Sequence, residues 1–218
     1  MQKAPARETE REARSAEIVA VAERLFNQNG FERTSMDEVA AEAHLTKRTL
    51  YKYFFSKEDL YFTVVLKGLG LLMRYIDEAT SQGRSGLERL QRAGEAYQRF
   101  YRENPEVFRQ INYSQFVKSP GEKSASYREI TRLGAGMFQN FVRFIEEGKA
   151  DGSIRPDVEG LKGVIALFFL LTGFFFRLSE AGEGYTQRYG IDLDDLSAYA
   201  IQMLMGAIRS AHQPANHA

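Results

Sequence analysis

Cysteine is absent from all 218 residues, which excludes disulfides, thiolate nucleophiles and cysteine-ligated zinc. Histidine is scarce: His44, His212 and His217 are the three. No G-x-S-x-G, phosphate-cradling glycine loop or H-E-x-x-H occurs, so no catalytic residue, metal or cofactor is expected and the reading is of a non-enzyme. Asp192, Asp194 and Asp195 lie close together, but at the start of a helix acids cap the chain and complement its dipole. An apolar leader is also lacking: "MQKAPARETEREARSAE" is polar and charged, unlike a secretory signal. The longest uncharged apolar run, Val164 to Phe176, falls short of the roughly 18 residues of a membrane span. These absences predict a cytoplasmic protein with no membrane partner. Net charge is absent too, 29 Lys and Arg against 29 Asp and Glu, so a nucleic-acid reading must rest on local charge.

What the chain does have is helical periodicity, with no sustained period-two alternation, and this predicts an all-α fold. Ile18, Ala22, Leu25 and Phe26 share one face of a helix over about 11–29, stopped by Gly30. Ser35 and Glu38 form a capping box for a second helix. Thr46 caps a third, flanked by Leu45 and Leu50 as a hydrophobic staple. Ser56 starts a longer helix, and further helices are predicted over about 87–104, 105–117, 127–148, 156–181 and 193–211. "KSPGEKSAS" is the candidate exposed loop. The ends, before about Glu10 and after about His212, are expected to fray.

"HLTKRTLYKYFFSK", residues 44–57, holds Lys47, Arg48, Lys52 and Lys57 and not one acid. On a helix, Leu50 and Phe54 point one way, Lys47 and Tyr51 share a second stripe, and Arg48 and Lys52 a third. Such cations and hydroxyls hold phosphates and read base edges. A solvated face would usually mix signs. This one also follows a short capped helix across a tight turn, as in a helix-turn-helix.

"AERLFNQNGFERTSMDEVAAEAHLTKRTLYKYFFSKEDLY" resembles the N-terminal DNA-binding region of the TetR family of transcriptional regulators, through "LF…GF", "TS…VA…A" and "TLYKYFFSKEDL" in order. "GKADGSIRPD" is similar to the turn before the penultimate helix of many members. The resemblance implies a three-helix helix-turn-helix domain, residues 11–57. A larger helical ligand-binding and dimerisation domain follows over 58–212, giving about nine helices in total. It further implies a homodimer on double-stranded palindromic operator DNA, most often as a repressor released by a small molecule. By position, Thr46, Lys47, Arg48, Thr49, Tyr51, Lys52 and Tyr53 would face DNA, with Arg48 and Lys52 nearest to base edges. Lys57, Thr34 and Ser35 would add phosphate contacts. His44 departs from the pattern, sitting where the family commonly has glycine. The alternative is a TetR-like adaptor or lipophile-binding protein without DNA binding.

"LKGVIALFFLLTGFFFRL" is apolar around its whole circumference and must be covered on more than one side. Together with the apolar positions of Leu196–Ile208, the Leu161–Phe176 segment reads as half of a four-helix dimer interface, the alternative being the core of a monomer. The middle of the chain is rich in aromatics, which as a TetR-type effector site implies a small lipophilic or aromatic ligand. Candidate lining residues are Phe108, Tyr113, Phe116, Asn140, Phe144, Phe168 and Thr172.

Overall fold

The computed structural model describes residues 4–211. Among them the chain is all-α: α1 (Ala4–Arg33), α2 (Met36–Glu42), α3 (Lys47–Leu50), α4 (Lys57–Ser81), α5 (Gly86–Glu103), α6 (Pro105–Tyr113), α7 (Ala125–Ala150), α8 (Gly160–Tyr189) and α9 (Leu193–Ile208). A 3-10 turn, Ser114–Phe116, follows α6. The chain divides into two compact units. One runs to Leu69 and takes in Gln110–Thr131; the other holds Gly70–Arg109 and the chain from Arg132.

In the first unit, Ile18, Ala22, Leu25 and Phe26 of α1 are buried against Val39, Leu50, Phe54 and Leu60, with Leu45 partly buried on the same cluster. Tyr61 lies at its centre. Its ring meets Phe26 at 5.1 Å and Phe31 at 4.9 Å, and its hydroxyl donates to the Gln110 carbonyl at 2.9 Å. Burial pushes the Tyr61 phenol well above its ordinary pKa, with the nearby Tyr113 adding to the shift, so it stays a neutral donor. Gly30, at φ 79° and ψ 164°, breaks α1 where a stop was expected, and Phe31–Arg33 add one further turn. At its other end α1 begins at Ala4, inside the stretch expected to fray. The tail after His212 lies outside the described residues.

The second unit is organised on α5, whose buried face carries Leu87, Leu90, Ala93, Ala96, Tyr97 and Phe100 and packs on α8 and α9. Tyr97, Tyr101 and Phe108 form a ring cluster with Phe175 of α8, at centroid distances of 5.0–5.6 Å. The 151–154 turn closes one end. Asp151 Oδ2 accepts from the Gly86 N–H at 2.8 Å and Ser153 Oγ from the Leu87 N–H at 3.2 Å, capping two first-turn donors of α5 that have no partner within the helix. Gly152 takes the left-handed φ of 79° that the turn requires. Gly86 and Gly148 bring α5 and α7 together backbone to backbone: a methyl group on Gly86 would overlap the Phe144 carbonyl and Gly148.

α3 and α8 also differ from expectation. Regular α3 covers only Lys47–Leu50; beyond it Lys52 and Tyr53 donate to residues three back, so the segment tightens there before Phe54 donates four back to Leu50. α8 starts at Gly160 rather than at residue 156 and runs past 181 to Gly190, the left-handed stop at φ 67°. Gly182 lies inside it, where the missing side chain makes room for Leu193. By length and composition alone α8 is long and apolar enough to cross a membrane, although its uncharged run is shorter than a span. Only 17% of its apolar window is buried within the chain.

Candidate nucleic-acid interface

α2 begins with both halves of the capping box. Ser35 Oγ accepts from the Glu38 N–H at 3.2 Å, and Glu38 Oε2 accepts from the Ser35 N–H at 2.7 Å. The backbone and hydroxyl hydrogen bonds to Ser35 hold the Glu38 carboxyl below its usual range. The helix ends in a paired reverse turn: the Leu45 N–H donates to the Ala40 carbonyl at 2.8 Å and the His44 N–H to the Ala41 carbonyl at 3.0 Å. That pattern needs a left-handed residue at position 44, the site where glycine is usual. His44 supplies it at φ 53°, alone among the described non-glycine residues. α3 then starts on Thr46, whose Oγ1 accepts from the Thr49 N–H at 3.2 Å. Leu50, fully buried, anchors α3 on the core.

The residues expected to face DNA separate by what their polar atoms already hold. Arg48 and Lys52 are exposed, and their side chains carry no ion pair or hydrogen bond within the described residues. Tyr51 is exposed; Tyr53 is partly buried on the core cluster. Thr46 and Thr49 bond to each other, hydroxyl to hydroxyl, at 2.9 Å. Lys47 is exposed, but its Nζ lies 2.8 Å from Asp37 Oδ2, and that hydrogen bond and charge raise the amine above its ordinary pKa.

Three expected phosphate contacts are differently placed. Thr34 is 1% exposed, and its hydroxyl donates to the Gly30 carbonyl at 2.8 Å and to that of Leu25 at 3.3 Å. Ser35 is engaged with Glu38 through both N–H and hydroxyl. Lys57 donates to the Phe31 carbonyl at 2.9 Å with its Nζ 4.1 Å from the Phe31 ring centroid, locking α4 to the end of α1. Asp37, which the sequence reading passed over, meets the cationic segment from the first turn of α2.

The candidate effector residues are distributed over both units. Tyr113 and Phe116 belong to the first unit, Phe116 being 62% exposed, whereas the other five belong to the second. There Phe108 and Phe144 are buried, Asn140 is exposed, Phe168 packs on Phe138 at 5.1 Å, and the Thr172 hydroxyl donates back to the Phe168 carbonyl. A recess of about 230 Å³ in this unit is lined by Glu78, Ala79, Gln82, Arg92, Glu95, Ala96 and Arg99, none of them a candidate.

Two short helices joined by a left-handed turn, seated on a longer helix and presenting bare cations, define a helix-turn-helix protein. Residues 18–64 match the bacterial regulatory proteins of the tetR family. Over 110 residues the chain is 28% identical to the HTH-type transcriptional activator FasR of Mycolicibacterium smegmatis, covering 50% of each chain. The match thus spans half the length of that relative. The fold extends further. A regulatory protein of the tetR family from Rhodococcus RHA1 superposes with a TM-score of 0.68 over 91% of this chain and 98% of its own, at 21% identity. The fatty acid degradation regulator FadR of Bacillus halodurans does so with 0.66 over 89% and 99%, at 18% identity.

Proposed function

We propose that this chain is a transcriptional regulator that binds a palindromic operator as a homodimer, represses, and is released by a small lipophilic or aromatic molecule. The observation that carries DNA binding is the bare pair of exposed cations at the second helix of a helix-turn-helix, Arg48 on it and Lys52 just beyond its end. The homodimer reading is supported by the uncovered apolar side chains of α8 and α9. The effector reading draws on the ring cluster of the second unit and on the fold shared with FadR, described as a fatty acid degradation regulator. FasR, described as an activator, favours activation as a second reading for the sign of control. A promoter–reporter fusion with and without the protein separates the two.

The test of DNA binding uses an operator selected from random duplexes. Arg48→Ala and Lys52→Ala each weaken it by about 1–3 kcal/mol and relax base preference if each makes a bidentate base contact. Unchanged affinity and preference in both variants remove the recognition assignment.

A further inference from the structure

α2 carries three acids near the cationic segment, and each has its own partner. Glu38 is held by Ser35, Glu42 takes Arg24 at 2.7 Å, and Asp37 takes Lys47 at 2.8 Å. Only the last reaches into α3. Both members of that pair are solvent-exposed, so phosphates meet it directly. We propose that Asp37 is a built-in counter-ion for Lys47 that holds down the protein's sequence-independent affinity for the DNA backbone. The inference rests on the DNA-binding reading above.

Sequence-independent binding comes almost wholly from cations that replace the counter-ions condensed on phosphates. A cation already matched by a carboxylate contributes little: a phosphate must displace Asp37 or accept its repulsion. Arg48 and Lys52 have no such acid, so base reading keeps its full charge while one backbone contact is damped. Asp37 is not needed as a charge for the helix start, where Ser35 and Glu38 already complete the cap. Asn at this position therefore removes the counter-ion and leaves α2 capped.

Fluorescence anisotropy across a KCl series, with a scrambled duplex and the selected operator, reads the effect. Asp37→Asn tightens the scrambled duplex about 3- to 10-fold and steepens the slope of log affinity against log salt by about 0.9 per engaged protomer. Asp37→Asn with Lys47→Gln returns both to wild type or below; a gain that survives the loss of Lys47 overturns the counter-ion role. Without DNA, acylation of Lys47 followed by mass spectrometry proceeds faster in Asp37→Asn, because the ammonium has lost its partner, and an unchanged rate also counts against the proposal. Wild-type binding with an unaltered slope in Asp37→Asn removes this inference alone. Failure of wild type to bind either duplex removes the DNA-binding reading and this inference with it.

Discussion

His44 holds a left-handed backbone that costs most L-residues about 1–2 kcal/mol, because Cβ crowds the following carbonyl. The two reverse-turn hydrogen bonds from His44 and Leu45 hold it there. Glycine would relieve the strain but adds about 0.5–1 kcal/mol of backbone entropy to be lost on folding. The terms nearly cancel, so His44→Gly stays within about 1 kcal/mol of wild type. His44→Val has no such compensation, because a β-branched side chain fits this region worst. It destabilises by about 1–2 kcal/mol in urea titration. A valine variant as stable as wild type would mean that the turn opens without cost.

Among the elements, the 151–154 turn acts far from its own position. Asp151 lies 65 residues from Gly86 in sequence yet caps the start of α5. Burial opposes its charge, but hydrogen bonds from Ser153 and the Gly86 N–H outweigh it and hold the carboxyl below its usual range. A depressed pKa contributes stability above the ordinary carboxylate value, which is lost as pH falls through the folded value. Asp151→Ala therefore costs about 0.5–2 kcal/mol at neutral pH, as cap removals do, and the gap from wild type narrows in acid. A gap that is the same at neutral and acid pH would rule out the carboxylate as its source.

The caps at Ser35 and Thr46 and the break at Gly30 were legible because a cap and its partner lie within a turn of each other. The partners of Lys47, Lys57 and Thr34 were not. Asp37 lies ten residues from Lys47 and the Phe31 carbonyl 26 from Lys57, so a one-signed run of sequence concealed an acid brought in by folding. Thr34 looked presented because it begins a helix, whereas its hydroxyl closes the helix before it. The effector residues were illegible for a related reason: aromatic spacing marks a buried face without saying whether rings or a ligand fill it.

At the scale of the whole molecule, the uncovered surface of α8 and α9 dominates. Leu161, Ile165 and Phe169 recur every fourth residue on α8, joined by Leu170, and Tyr199 and Met203 do the same on α9. Phe169 is 66% exposed in the single chain, so its replacement leaves the chain's own core intact. In a two-fold interface, one substitution places two charges in the seam, each without a partner. Phe169→Glu thus costs several kcal/mol of association and gives monomers by light scattering, with helical circular dichroism retained. A variant that remains dimeric would move the seam to another face.

The length and composition of α8 also bear on how the protein is made. A helix that could pass for a membrane span leaves the ribosome only after α5 and α7, the helices that can receive it, have already emerged. α9 follows within about 1–4 s at the usual pace of roughly 5–20 residues per second. Order of synthesis thereby gives one side of the segment a partner at once, while most of its apolar window, only 17% of which is buried within the chain, is left for another surface to cover. Placed first, the same helix would have no such reception.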